Sequence, residues 1–204
     1  MEMKPEVKKL EIRYLFDLKK VLSDQKWLKK IKNFPVYYIW RGIKKKNNLR
    51  YDITIIPPQL LGREFVKTKG HYHLGKYGEL YKILDGKAIF LIQKRKTLKL
   101  RKQFGEIGDV YYTKAKKGDF IVIPPHYGHV AINPSKKTLK MANWVSIKCQ
   151  NDYQLFEKRK GGGYYYTKNG WILNKNYKKI PKLRFEKPLK KKPSPHQIKL
   201  LVGG

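Results

Sequence analysis

An all-β barrel or sandwich behind a short helical segment is the fold this chain predicts, on three observations. From Val36 onward, β-rich runs follow one another at short intervals: 36–42, 51–56, 63–68, 79–84, 87–93, 109–113, 119–123, 128–132 and 138–147. Turn formers separate them, at Asn47-Asn48, Pro57-Pro58, Asp85-Gly86, Gly105, Gly108-Asp109, Lys117-Gly118-Asp119 and Asn133-Pro134. Many short strands so spaced belong to antiparallel sandwiches and barrels. Upstream the texture differs, because residues 9–31 carry Leu10, Tyr14, Leu15, Leu18, Val21, Leu22, Trp27, Leu28 and Ile31 at helical spacing.

The elements can then be taken in order. Residues 1–35 form an N-terminal helical extension, interrupted where Ser23 or Asp24 can cap a new helix and ended by Asn33-Phe34-Pro35. Residues 36–180 form the barrel, with two further strands expected near 163–167 and 171–173. From 181 to 204 Pro and Lys dominate, and a loosely ordered tail is expected. At 204 residues and 24.2 kDa the chain suits one well-buried domain, and 41% hydrophobic content supports a packed core.

The formal charge of +33 raises the question of nucleic acid. The cations are 40 Lys and only 8 Arg, spread end to end rather than gathered in a stripe. Readers of nucleic acid lean on the planar, bidentate Arg fork, so specific nucleic-acid binding is disfavoured. A positive field still draws an anionic small substrate toward a site. The single Cys149 cannot form an intramolecular disulfide. The opening Met-Glu-Met-Lys-Pro-Glu lacks a signal-peptide layout, and no apolar run approaches membrane-spanning length. A soluble cytoplasmic protein without membrane contact is expected.

Four of the five histidines fall in two short segments, Thr68-Lys-Gly-His-Tyr-His-Leu-Gly-Lys-Tyr-Gly-Glu79 and Pro124-Pro-His-Tyr-Gly-His-Val-Ala-Ile-Asn133. His71 and His73, one residue apart on a strand, emerge on the same face. Glu79 opens the next strand after a Gly75–Gly78 hairpin, and His129 arrives from a segment fifty residues later. Three imidazoles and a carboxylate suffice for one divalent ion with an open position. Their chemistry suits Fe(II), Mn(II), Ni(II) or Zn(II) over softer metals. A lone HxH is often a chance pair on a polar strand. Here it extends to HxH–x5–E–x6–G, ending at Gly86, and to Gly118–x5–Pro124–x4–His129–x3–Asn133.

Those paired patterns resemble the signatures of the cupin double-stranded β-barrel, a jelly roll. The first departs from them where Phe65 replaces a glycine and its HxH–Glu spacing runs one residue long; the second departs where His126 replaces a glycine. The flanks are more specific. Val36-Tyr-Tyr-Ile-Trp-Arg41, Tyr51-Asp-Ile-Thr54-Ile-Ile-Pro-Pro58, Gly62-Arg-Glu-Phe-Val-Lys-Thr68, Glu79-Leu-Tyr81 and Asn151-Asp-Tyr153 resemble the archaeal-type, cupin phosphoglucose isomerase family over roughly residues 10 to 175. The resemblance implies an enzyme, a glucose-6-phosphate isomerase interconverting glucose 6-phosphate and fructose 6-phosphate in glycolysis and gluconeogenesis. It implies one divalent metal per subunit, Fe(II) foremost, on His71, His73, Glu79 and His129. Thr54, Thr68, Gly70 and Tyr153 would contact the sugar phosphate, and Glu79 with Tyr81 would serve the chemistry. The family leaves a cis-enediol route and a hydride shift both open.

Chemically, Thr hydroxyls and a glycine amide are neutral donors able to cradle a phosphate dianion. Lys67 and Lys69 could assist, and His126 reads as a rim residue. Exposed barrel edges, which a segment such as 9–42 of another copy can cover, and the resemblance together imply a homodimer. Two other readings stay open: another cupin metalloenzyme, such as a dioxygenase or related sugar isomerase, and a basic nucleic-acid-binding module.

Overall fold

The computed structural model describes residues 9–46, 48–96, 105–191 and 193–199. Asn47 of the expected Asn47-Asn48 turn lies outside them, as do the first eight residues and the last five.

Two largely antiparallel sheets face one another across the core, giving the expected all-β double-stranded barrel. The larger runs Lys9–Tyr14, Pro35–Lys46, Leu49–Ile56, Leu139–Ser146, Glu79–Asp85, Phe120–Ile123 in spatial order. The smaller runs Tyr127–Ile132, Lys87–Arg95, Ile107–Lys116, Arg184–Phe185. The β-rich runs read from sequence recur within a few residues at most positions, because alternation and turn residues dictate both ends. The run expected at 63–68 keeps only Glu64–Phe65 as a strand. Between the sheets pack Ile56, Ile83, Phe90, Ile92, Ile123 and Val130, all nearly inaccessible to solvent. Gly86 turns the chain between two neighbouring strands at φ 79°, where a Cβ would lie 2.6 Å from the Thr138 carbonyl oxygen. Only glycine fits there.

Cross-strand register sorts the inner face of the larger sheet into rows. Asp52, Asn143 and Tyr81 are successive partners across three strands, and Arg50, Val145 and Glu79 form the next row. Polar groups therefore project into the barrel from an otherwise apolar wall.

Three expectations need correction. The helical pattern over 9–31 is mixed: Lys9–Tyr14 is a strand, Leu15–Val21 a 3-10 helix and Gln25–Leu28 a single helical turn. Pairing with Pro35–Lys46 overrides the helical spacing of Leu10 and Tyr14. Asp24 does cap the turn, accepting from the Trp27 amide at 3.0 Å. Second, the Lys/Pro-rich stretch from 181 is held down over much of its length. Arg184–Phe185 pairs in parallel with Ile107–Lys116, Leu189 bridges Phe120, and Lys190 donates to both Asp119 oxygens at 2.8 and 2.9 Å. Third, 75–78 is no hairpin. Tyr72–His73 pairs with Asn151–Asp152, whereas Glu79–Asp85 pairs with Leu139–Ser146 and Phe120–Ile123, so the chain crosses between sheets there.

Candidate functional site

The segment 66–71 lies along Tyr127–Ile132. Thr68 N–H donates to the Ala131 carbonyl, the Ala131 amide donates to Thr68 Oγ1, and His71 and His129 exchange both backbone bonds at 3.0 and 3.2 Å. That bridge sets the His71 ring across from His129, with ring centroids 4.6 Å apart. His73 follows two residues on, and Glu79 reaches in from the opposite sheet. One ligand atom from each of the four lies within 4.8 Å of the others.

The spacing suits an ion. His71 and His73 Nε2 are 3.2 Å apart, and Glu79 Oε2 is 3.3 Å from Nε2 of both His73 and His129. Ligands about 2.1 Å from a metal sit roughly 3.0–3.4 Å from each other at octahedral to tetrahedral angles. Glu79 Oε2 is buried and accepts no hydrogen bond. An orphaned carboxylate oxygen is costly unless something positive completes it. His73 Nδ1 faces the Tyr77 carbonyl at 3.0 Å, which fixes its proton there and turns Nε2 inward. The donor set thus fits a divalent metal.

Without an ion the protons distribute unevenly. Burial pulls His129 down to about 4, and burial with the neighbouring imidazoles holds His71 well below its usual range. Burial opposes charge on His73 as well, but the neighbouring Cys149 and the Glu79 carboxylate outweigh it and push it up to about 10. Burial would raise Glu79, yet the His73 and His129 imidazoles beside it hold it below the ordinary carboxylate range. Metal therefore has to displace the proton on His73.

The nine residues given metal, phosphate or catalytic roles line one cleft. Tyr81 OH lies 3.0 Å from His129 Nε2. Thr68 and Gly70 immediately precede His71. Gly70 has φ 79°, and a Cβ there would meet Val130 at 2.7 Å and Phe156 at 2.9 Å, so only glycine fits there. Tyr153 packs beside His71 with ring centroids 5.6 Å apart and accepts from Asn151 at 3.1 Å. Thr54 is buried in the floor.

Lys69 lines the cleft, paired with Glu157 at 2.6 Å and lying over the Tyr153 ring. Lys67 does not. It is buried, bonded to Glu64 and to the Val21 carbonyl, so it can neither help bind phosphate nor serve as a solvated edge charge. His126 sits on an exposed turn at φ 70°, outside the cluster, where the signature has glycine. Sequence reasoning missed Arg50 and Asn143, and cited Tyr37, Arg41 and Asp52 only as part of longer matches. Arg41 and Arg50 flank the buried Asp52 at 3.5 and 3.0 Å, and Asn143 Nδ2 donates to Glu79 Oε1 at 2.7 Å. For Asn143 the available signal was phase, since it occupies an inward position between Met141 and Val145; on Leu49–Ile56 the inward Arg50, Asp52 and Thr54 are themselves mostly polar, so alternation gave no such signal.

Comparison with known proteins gives a family match over most of the chain. The model of the glucose-6-phosphate isomerase (GPI) family matches residues 13–182. The glucose-6-phosphate isomerase of Thermococcus litoralis is 26% identical over 174 residues, covering 82% of this chain and 86% of the relative. That of Pyrococcus abyssi is 27% identical over the same shares. Among solved structures, an oxalate decarboxylase from Lactobacillus farciminis superposes with TM-score 0.41 at 19% identity, over 57% of this chain and 31% of that one.

Proposed function

The chain belongs to the glucose-6-phosphate isomerase family, and from that premise we propose that it interconverts glucose 6-phosphate and fructose 6-phosphate at the four-residue cluster, with a divalent metal. The observation that carries this is the orphaned Glu79 Oε2 facing three convergent imidazole nitrogens at the floor of a cation-lined cleft. His71, His73, Glu79 and His129 would hold the ion. Nitrogen and oxygen donors without thiolate suit Fe(II), Ni(II), Mn(II) or Zn(II), and membership of the family puts Fe(II) foremost. When bound, it supplies Lewis acidity to the oxygens on C1 and C2 of the sugar.

The protein residues divide the remaining work. Thr54, Thr68, Gly70 and Tyr153 contact the phosphate, with Lys69 adding charge. The Thr68 hydroxyl accepts from Ala131, which leaves its hydrogen free to donate outward. Arg41 and Arg50 give the cleft a positive wall that draws in a dianion. Glu79 takes the proton from one carbon and returns it to its neighbour, and Tyr81 OH, fixed near His129, orients the sugar oxygens. The cationic cleft wall favours this over a dioxygenase, which would want an apolar pocket.

The outer face of the six-stranded sheet takes a second copy of the chain. Leu10, Ile12, Tyr38, Trp40, Ile53 and Trp144 lie there, none fully buried, in register across four strands. Apolar burial has to drive association between subunits carrying +33 each. Among the described residues no helix is long and apolar enough to cross a membrane; the cytoplasm, where sugar phosphates are turned over, is its setting.

A coupled dehydrogenase assay with fructose 6-phosphate tests the reaction. Metal-replete protein should form glucose 6-phosphate and chelator-stripped protein should not; absence of turnover of either sugar phosphate would overturn it.

A further inference from the structure

The geometry points to Asn143 as a positioning residue that restricts Glu79 to a single free oxygen. This inference rests on the metal centre proposed above.

Asn143 lies on Leu139–Ser146, directly across from Tyr81 and one row from Glu79, with its side chain inward and 5% exposed. A carboxylate accepts hydrogen bonds and cannot donate them, so the group facing Oε1 at 2.7 Å is the Asn143 amide N–H. The bond is short, buried and charge-assisted. It removes one of two otherwise equivalent oxygens from use. Oε2, with no hydrogen bond, is left 3.3 Å from His73 and His129.

That asymmetry matters for the number of open positions. On a six-coordinate ion, three imidazoles and one carboxylate oxygen would fill four sites and would leave two for the neighbouring oxygens of a sugar. A Glu79 offering both oxygens would leave one. Asn143 thus decides whether the substrate can use both of its oxygens. It also anchors Glu79 through Oε1, so that proton transfer, too, falls to Oε2 and requires its bond to the ion to be loose.

The test compares crystal structures and kinetics of the metal-loaded wild type and N143L, with N143V as a smaller apolar replacement should leucine not fit. In the wild type one Glu79 oxygen should lie within bonding distance of the ion, about 2.2 Å. In N143L both should, with metal content kept at one ion per chain and KM for fructose 6-phosphate raised at least tenfold. The inference is overturned if the wild type already binds through both oxygens, if the variants still bind through one, or if they lose the ion altogether. An inactive wild type whose Glu79 binding mode still changes in N143L would defeat the isomerase reading and leave the role of Asn143 standing.

Discussion

Replacing Glu79 by Gln separates a carboxylate that only holds metal from one that also moves a proton. The amide is nearly isosteric, so the Asn143 bond to Oε1, 2.7 Å long, can persist, and the side chain stays in its buried slot. What changes is Oε2, which becomes an NH2 facing the imidazoles and can neither ligate nor accept a proton. Three imidazoles remain, so substantial metal should be retained. Loss of a positioned general base costs a factor of about 10², equivalent to about 2.7 kcal/mol of transition-state stabilisation. Metal content by elemental analysis, read beside kcat from the coupled assay, measures both. Running the reaction in deuterated water adds a third reading, since a carboxylate proton exchanges with solvent and deuterium should appear at the transferred position. A metal-loaded Glu79→Gln within threefold of wild type, with no deuterium transferred, would reduce Glu79 to a ligand and favour the hydride shift.

Other expectations follow from the same coordinates. Lys67→Ala leaves Glu64, fully buried and bonded otherwise to the Ser23 amide at 2.6 Å, without its cation; a loss of about 3–5 kcal/mol is expected, and a urea midpoint implying under about 1 kcal/mol would refute it. The metal-free fold should be most stable near pH 6.5. Above that, the raised His73 loses its contribution as pH rises through about 10, whereas below it the depressed His129 withdraws stability as pH falls to about 4. A flat difference between the profiles of wild type and a His73→Gln/His129→Gln double variant would contradict this. Sedimentation should give a dimer at micromolar protein, tightening as salt screens the repulsion; a monomer at physiological salt would remove the second copy from the outer face.

Much of the barrel was legible because half-buried strands force alternation and turns force glycine, proline and asparagine. The cluster of His71, His73, Glu79 and His129 was legible because its spaced signature survives in sequence. Gly86 illustrates both: it belongs to the spaced pattern and has no room for a Cβ. What sequence concealed was pairing. Leu10, Ile12 and Tyr14 also satisfy a period of two, but Leu15 and Leu18 continue a helical count, and only the partner strand decides. The crossing between sheets at 74–78 looked like a hairpin because two glycines suit either. Asn143 sits between Met141 and Val145 at inward phase; a polar residue there signals a buried partner without saying which, and the partner, Glu79, is 64 residues away. Lys67 appeared as one lysine among forty, its burial invisible until Glu64 and Val21 closed around it.

The most direct test of the metal-dependent isomerase is a stoichiometric titration. Chelator-stripped protein receives Fe(II) in increments under anaerobic conditions while conversion of fructose 6-phosphate is followed, with His129→Ala in parallel. The rate should rise linearly and level off at one ion per chain, with His129→Ala flat throughout. Full turnover before any metal is added, or a His129→Ala variant that follows the wild-type curve, would contradict it.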